Sequence, residues 1–370
     1  MSNVFNLVSE ETYIEQTDKI AVYLAAIAAK DDGALRPTSW AGVQPLVRNG
    51  LASKVFAIGD QLTCQRGNDT LVWDVIGIDH DTPADPQFTH SLTLQLHDCF
   101  PTILQFDAPE AFYYAENGLA AGTYHFTIDS TDYQFTLASD VAAGGQLILS
   151  FTGSTPTSIS VSETVGGAVS EGSVTVTAGS DGSELTGVND INRARYGSNN
   201  YKESAIRQWL NSSAAAGSVW TPQTDFDRPP SWDANTAGFL NGMDADFLAV
   251  VGKTHITVAR NTVSDGGGYD EMDDYFFLPS RSEIYGGVEV SGVDEGTAYP
   301  YYADYSDLSA AGAGADSNRI KYRAGTAQNW WLRSPTAGYG YYPRLILPAG
   351  TVSSYYAGNS FGVALACNII

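Results

Sequence analysis

A tyrosine-rich stretch with almost no charge, held between two apolar runs, ends this chain. Trp330-Trp-Leu-Arg-Ser-Pro335 opens it, and Gly362-Val-Ala-Leu-Ala366, continued by Cys367-Asn-Ile-Ile370, closes it. Between them Tyr339, Tyr341, Tyr342, Tyr355 and Tyr356 sit among Gly, Ser, Thr, Ala and Asn, with Arg344 the only charge. The apolar ends demand burial, because each Leu or Val left in water forfeits about 1.5–3 kcal/mol. The middle sets large, rigid, amphipathic rings on a small, adaptable background, which is the composition of antibody binding loops. A plain Tyr-rich β-hairpin accounts for the same composition. Either way the chain must bury both ends and present what lies between.

Residues 336–370 contain no Lys, Glu, Gln, Met or Trp, although all five types occur elsewhere in the chain. Changing only the adenines of an AAC or AAT codon cannot produce these five. Together with Arg207-Gln-Trp-Leu-Asn211, Phe276-Phe-Leu-Pro-Ser280 followed by Glu283, and the two apolar runs, in this order, the tail resembles that of the variable target proteins of diversity-generating retroelements. The resemblance spans most of residues 55–370. In that family a reverse transcriptase copies a template while mutating its adenines, and the copy rewrites the 3′ end of a receptor gene.

The resemblance implies an α+β fold, a C-type-lectin-like domain related to the formylglycine-generating-enzyme type, and ligand recognition without catalysis. It implies a contact face of Thr336, Gly338, Tyr339, Tyr341, Tyr342, Leu345, Leu347, Thr351, Ser353, Ser354, Tyr355, Tyr356, Asn359 and Phe361. It implies scaffold roles for Trp209, Trp330, Trp331 and Arg333. The implied setting is a phage or prophage tail tip, where the chain works with tail proteins and meets a host cell-surface protein or glycan. A homo-oligomer is expected there, and tail symmetry suggests a trimer. The alternative is a cell-wall glycan hydrolase or modifying enzyme using the same face as a cleft. A carboxylate pair about 5–10 Å apart in a pocket would mark it.

Composition narrows the field further. The net charge of −23 excludes phosphate-led nucleic-acid binding, which needs clustered Lys and Arg, and repels anionic lipid. The three cysteines, Cys64, Cys99 and Cys367, are far apart and odd in number, so a reducing compartment and no disulfide framework are expected. No apolar run approaches ~18 residues and no basic-then-apolar start is present, so neither membrane insertion nor signal-peptide export is expected. With the phage setting that the resemblance implies, the expected course is synthesis in the bacterial cytoplasm and release by lysis in a virion.

Three parts are expected. Residues 1–54 form a helical attachment or oligomerisation region, with helices over 9–30 and from Thr38 or Ser39 to Val47, the latter kinked or shortened by Pro45. Residues 55–100 and 189–370 form the discontinuous lectin-like domain. Strands are expected at 55–64 and 71–78 across a turn at 66–69, and at 90–97, where Leu92, Leu94 and Leu96 alternate with Ser91, Thr93 and Gln95. Further on, 205–210 reads as a helix, 239–251 as partly helical, 255–260 and 275–278 as strands, and 264–274 as an acidic glycine-rich loop. Residues 101–188 form a β-rich insertion. If the domain closes on itself, 363–370 joins one sheet with a strand from 55–78.

Few residues offer chemistry. His80, His90 and His97 with Asp81 and Asp98 are a candidate zinc set, but a strand puts His90 and His97 on opposite faces. Asp265, Asp270 and Asp273, with Glu271 and Asp274, are weak calcium candidates whose spacing departs from an EF-hand loop; a solvated acidic loop explains them too. No cofactor is expected. Gly266-Gly-Gly268 lacks the Lys and helix of a phosphate loop, and no Ser sits in a G-x-S-x-G elbow. The formylglycine-generating enzymes depend on a C-terminal cysteine pair, whereas Cys367 stands alone in an apolar run, so that activity is not carried over. Ser280 and Glu283 are spaced to cap a helix.

Overall fold

The computed structural model describes residues 37–109, 193, 196–221, 223, 229–302 and 317–370, and within 110–192 the backbones of six strands with short flanking pieces. The expected helix over 9–30 lies outside the described residues. The architecture is mixed α/β, made mostly of short strands with a few short helices.

The central sheet joins the two ends of the main body. Its path runs Gln61–Arg66, Asp69–Ile78, Leu92–Leu96, Ala366–Ile369 and Val251–Gly252, with Phe276–Phe277 also paired to Ala366–Ile369. The last strand thus shares a sheet with 69–78, as expected, but its direct partner is Leu92–Leu96, with Cys367 opposite Leu94. The first hairpin is tighter than the sequence suggests. Arg66 pairs with Asp69, so the turn is only Gly67-Asn68, and Gly67 at φ 59° takes the left-handed geometry such a turn needs. Residues 52–55 form a helical turn instead of the start of the strand.

The 92–96 strand corrects the simplest use of alternation. Both faces are buried. Leu92, Leu94 and Leu96 enter the main core, while Thr93 donates to Asp81, Gln95 Nε2 to the Ala364 carbonyl, and the Tyr302 hydroxyl to Gln95. A polar face can be buried because each group finds a partner.

The main core is aromatic. Phe239 packs edge-on against Trp209 at 5.3 Å and Phe276 at 5.0 Å, and Trp40 meets Phe247 at 4.6 Å. Trp40 begins the helix Trp40–Arg48, which is capped by Ser39, runs through Pro45, and buries Trp40, Val43, Leu46 and Val47. Gln44 donates to the Ile370 carbonyl at 2.7 Å. This part of the N-terminal region therefore packs on the main body. Pro45 does not shorten the helix, which runs on to Arg48.

Two other readings shift. The acidic stretch expected as a loop is half strand: Tyr269–Asp274 pairs with Thr254–Ala259. The region 239–251 keeps only one helical turn, Ala245–Leu248. Within 110–192 two three-stranded antiparallel sheets lie, Ala111–Ala115 with Gly145–Phe151 and Val174–Gly179, and Gly122–Ile128 with Thr131–Leu137 and Ile159–Ser162. Residues 101–108 are not part of this β-rich block. Leu104 and Phe106 are fully buried in the main core, and Gln105 pairs with Ser360.

Candidate functional site

The tail stands on its first strand. Trp330–Pro335 is buried throughout and pairs with Pro343–Ile346, which pairs with Val352–Ser354. Trp330 and Trp331 are fully buried, and their indoles donate to the carbonyls of Arg319 and Leu104, both at 2.9 Å. Trp209, also fully buried, donates to the Ala237 carbonyl at 3.0 Å. An indole in a core requires such a partner.

Arg333 is the most fully engaged side chain here. Its Nε donates to the Thr257 carbonyl, Nη1 to the Leu278 carbonyl and Glu283, and Nη2 to Glu283 and the Glu295 carbonyl. Burial alone would strip its charge, but the Glu283 carboxylate outweighs that and holds its pKa above the ordinary value. Glu283 also completes the expected capping box with Ser280 on the helix Arg281–Tyr285. One carboxylate thus fixes a helix start and the tail strand together.

Above this base the tyrosines form one connected surface. Tyr342 lies 4.4 Å from Tyr341, 5.2 Å from Tyr339 and 5.1 Å from Tyr356, centroid to centroid. Tyr355 links Tyr356 at 5.5 Å to Phe361 at 5.4 Å, and Phe361 rests on buried Trp331 at 5.0 Å. Tyr339 and Tyr355 are the most open, 47% and 44% exposed. Gly338 and Asn359 are also exposed, whereas Thr336, Tyr341, Tyr342, Leu347, Thr351, Ser353, Ser354, Tyr356 and Phe361 are half-buried. Leu345 is a correction. At 1% exposure it belongs to the main core, because its strand turns alternate side chains inward opposite Trp331.

Sequence reasoning missed a member of this surface. Tyr196, outside the tail, stacks on Tyr356 at 3.9 Å and 19°. Its carbonyl accepts from Gly358 N–H at 2.7 Å. Two buried asparagines hold the other tyrosine loop: Asn199 Nδ2 donates to the Tyr339 and Tyr342 carbonyls, and Asn261 Nδ2 donates to Asn199 Oδ1 at 2.7 Å. Only Tyr196, as one more Tyr near the Arg207 motif, left any trace in the sequence.

Of the calcium candidates, Asp265 and Asp270 line one cleft with Glu203, beside Arg193, Lys202 and Arg260, and each candidate is engaged by other neighbours. Asp265 accepts from Asn261 and Ser264, Asp270 pairs with Lys202, and Asp273 pairs with His255. Each candidate histidine has its own carboxylate: His80 with Asp81, His90 with Asp79, His97 with Asp74. Among the described residues no group of three or more His, Cys, Asp and Glu side chains is placed to hold a metal ion. Cys64, Cys99 and Cys367 are buried free thiols. Burial pushes Cys64 up to about 11 and Cys99 up to about 12, which leaves neither a nucleophile.

A polar cleft of about 220 Å³ lies beneath the tail strand, lined by His80, Asp81, Thr254, Glu283, Glu295, Thr297 and Arg333 among others. His80 Nδ1 is 2.9 Å from Asp81, and Nε2 is 3.1 Å from the Thr297 hydroxyl. By distance these three resemble a nucleophile, base and orienting acid. Nε2 also faces the Ala298 carbonyl at 3.3 Å, however, and a carbonyl can only accept. An imidazolium donating from both nitrogens satisfies every neighbour, and in that state it cannot take a proton from Thr297.

The fold and this surface define a mixed α/β protein that displays an aromatic face on a rigid, hydrogen-bonded base. The chain belongs to the family described as Domain of unknown function (DUF6273), which matches residues 180–370. No curated protein and no solved structure matches the chain. Among the described residues no helix is long and apolar enough to cross a membrane.

Proposed function

We propose that this chain is a ligand-recognition protein that meets a host cell-surface protein or glycan through its C-terminal tyrosine face. The observation that carries the reading is the connected aromatic surface from Tyr196 to Phe361, exposed at Tyr339 and Tyr355 and footed on buried Trp331. Interfaces concentrate their energy in a few such aromatic anchors. The absence of Lys, Glu, Gln, Met and Trp from residues 336–370 supports diversification by a retroelement, and with it a C-type-lectin-like scaffold at a phage or prophage tail tip. The expected oligomer, a trimer, belongs to the same proposal.

Hydrolysis of cell-wall glycan is the less favoured reading. Asp81, Glu283 and Glu295 border one cleft, but each is engaged by neighbours: Asp81 by Tyr299 and Asn368, Glu283 by Arg333, Glu295 by Ser334 and Ala259 N–H.

The test is adhesion of purified protein to intact bacterial cells. Tyr339→Ala with Tyr355→Ala should abolish adhesion while lowering the melting temperature only slightly. Undiminished adhesion, or release of sugars from purified cell wall, counts against the proposal. A reverse transcriptase gene beside an adenine-bearing near-copy of the tail's coding sequence would support the retroelement assignment independently.

A further inference from the structure

Residues 295–297 line the polar cleft and meet it through groups that titrate or that bond to groups that titrate, while Val293 on one side and Tyr299 and Tyr302 on the other are packed into apolar clusters. Glu295 accepts from Ala259 N–H at 3.0 Å and from the Ser334 hydroxyl at 2.6 Å. The Glu295 carbonyl accepts from Arg333 at 2.6 Å. Thr297 and the Ala298 carbonyl face His80 Nε2, and the Tyr299 hydroxyl donates to Asp81. The His80 ring also lies against the Tyr299 ring at 4.3 Å.

The charged neighbours come from five elements. Segment 79–82 brings His80 and Asp81, the helix Arg281–Tyr285 brings Glu283, and the tail strand Trp330–Pro335 brings Arg333. The loop brings Glu295 and, at its exposed start, Asp294, which accepts from Gly296 N–H. The strand Thr254–Ala259 brings His255, which is paired with Asp273 at 2.9 Å. With His80 and Glu295 both protonated, two cations, buried Arg333 and partly buried His80, face two carboxylates, buried Glu283 and partly buried Asp81. With both deprotonated, Arg333 alone faces three. Such uncompensated charge in a buried site is costly.

We propose that residues 294–298 form a proton-operated clasp, closed while His80 and Glu295 carry protons and released when both lose them. Arg333 and Ser334 each take one contact from this loop, so its release removes two ties from the strand that carries the tyrosine face. Two energetic trends agree with this geometry. Burial pushes Glu295 up to about 7, only partly opposed by Arg333. Burial disfavours the His80 charge, but Asp81, Glu283 and the Ala298 carbonyl outweigh it and raise its pKa. The clasp is independent of what the tyrosine face binds, and its test involves no ligand.

The experiment is amide hydrogen exchange on the full chain between about pH 5.5 and 8.5, corrected for the intrinsic rate. Protection at residues 296–299 should fall by about tenfold or more across this range, since one unit of pKa shift corresponds to about tenfold in a linked equilibrium. Protection in the strand Leu92–Leu96 should fall far less. Glu295→Gln mimics the protonated acid, accepting from Ala259 and donating to Ser334, and should stay protected at pH 8.5. His80→Gln cannot carry the charge, so its opening should follow Glu295 alone, closed at pH 5.5 and open by pH 8.5. Flat protection in the wild type overturns the clasp. So does a Glu295→Gln variant that loosens as the wild type does, and this second comparison holds even if His80→Gln fails to fold.

Discussion

Arg333 meets Glu283 through two parallel hydrogen bonds, Nη1 to Oε2 and Nη2 to Oε1, both 2.7 Å long and both buried. Removing one member leaves the other charged and unpaired, which costs about 3–5 kcal/mol. Arg333→Met and Glu283→Gln should each lose stability on that scale in urea unfolding. Arg333→Lys should fare little better, because an ammonium cannot reproduce the planar fork. A loss under about 1 kcal/mol would show that the pair is dispensable.

The tail should respond in three grades. Trp331→Ala removes a fully buried ring and its bond to Leu104, and should cost about 3–5 kcal/mol. Tyr356→Ala breaks stacking with Tyr196 and Tyr342 and should cost about 1–2 kcal/mol. Tyr355→Ala, at an open position, should change stability by roughly 0.5 kcal/mol. Thermal unfolding of the three variants side by side checks the order, and equal losses at Tyr355 and Trp331 would contradict it.

Stability should decline as pH rises. Glu295 moves from its ordinary 4.5 to about 7 on folding, so it binds its proton more tightly folded. Its contribution is fully present below about 4.5 and lost as pH rises through about 7. His80, raised above 6.5, acts in the same direction: its contribution is present below 6.5 and lost as pH passes its higher folded value. Glu295 alone should lower stability by roughly 2–3 kcal/mol between pH 5 and 8.5, and His80 adds to it in the same direction. Denaturant unfolding across that range measures it, and Glu295→Gln should flatten the slope.

Excision of the β-rich block should depend on where the cut begins. Replacing residues 111–191 with a Gly-Ser bridge keeps Leu104, Gln105 and Phe106, which the main body needs, and should leave a cooperatively melting protein. A cut beginning at residue 101 removes Leu104 and Phe106, both 0% exposed, and should not fold. Circular dichroism melts of the two variants distinguish these outcomes, and identical behaviour would erase the boundary.

The sequence by itself determined what composition and local spacing control. The apolar runs at 330–335 and 362–370 announce burial. Ser280 with Glu283 announces a capped helix, and the tyrosines on a small-residue background announce either a displayed surface or a plain Tyr-rich hairpin. These are properties of neighbours along the chain, and short-range sterics and hydrophobicity decide them. Tertiary structure decided the rest. Alternation at 91–96 could not reveal that Thr93 and Gln95 are buried, because their partners Asp81 and Ala364 come from elsewhere in the chain. Leu345 sits inside a tyrosine-rich stretch yet faces the core, because pairing with Trp331 sets its direction. Tyr196, Asn199 and Asn261 join the face only through contacts made 62 to 160 residues away along the chain. Glu283, Glu295, His80 and Arg333 share a site for the same reason. Such convergence follows from packing the whole chain and has no period or motif to betray it.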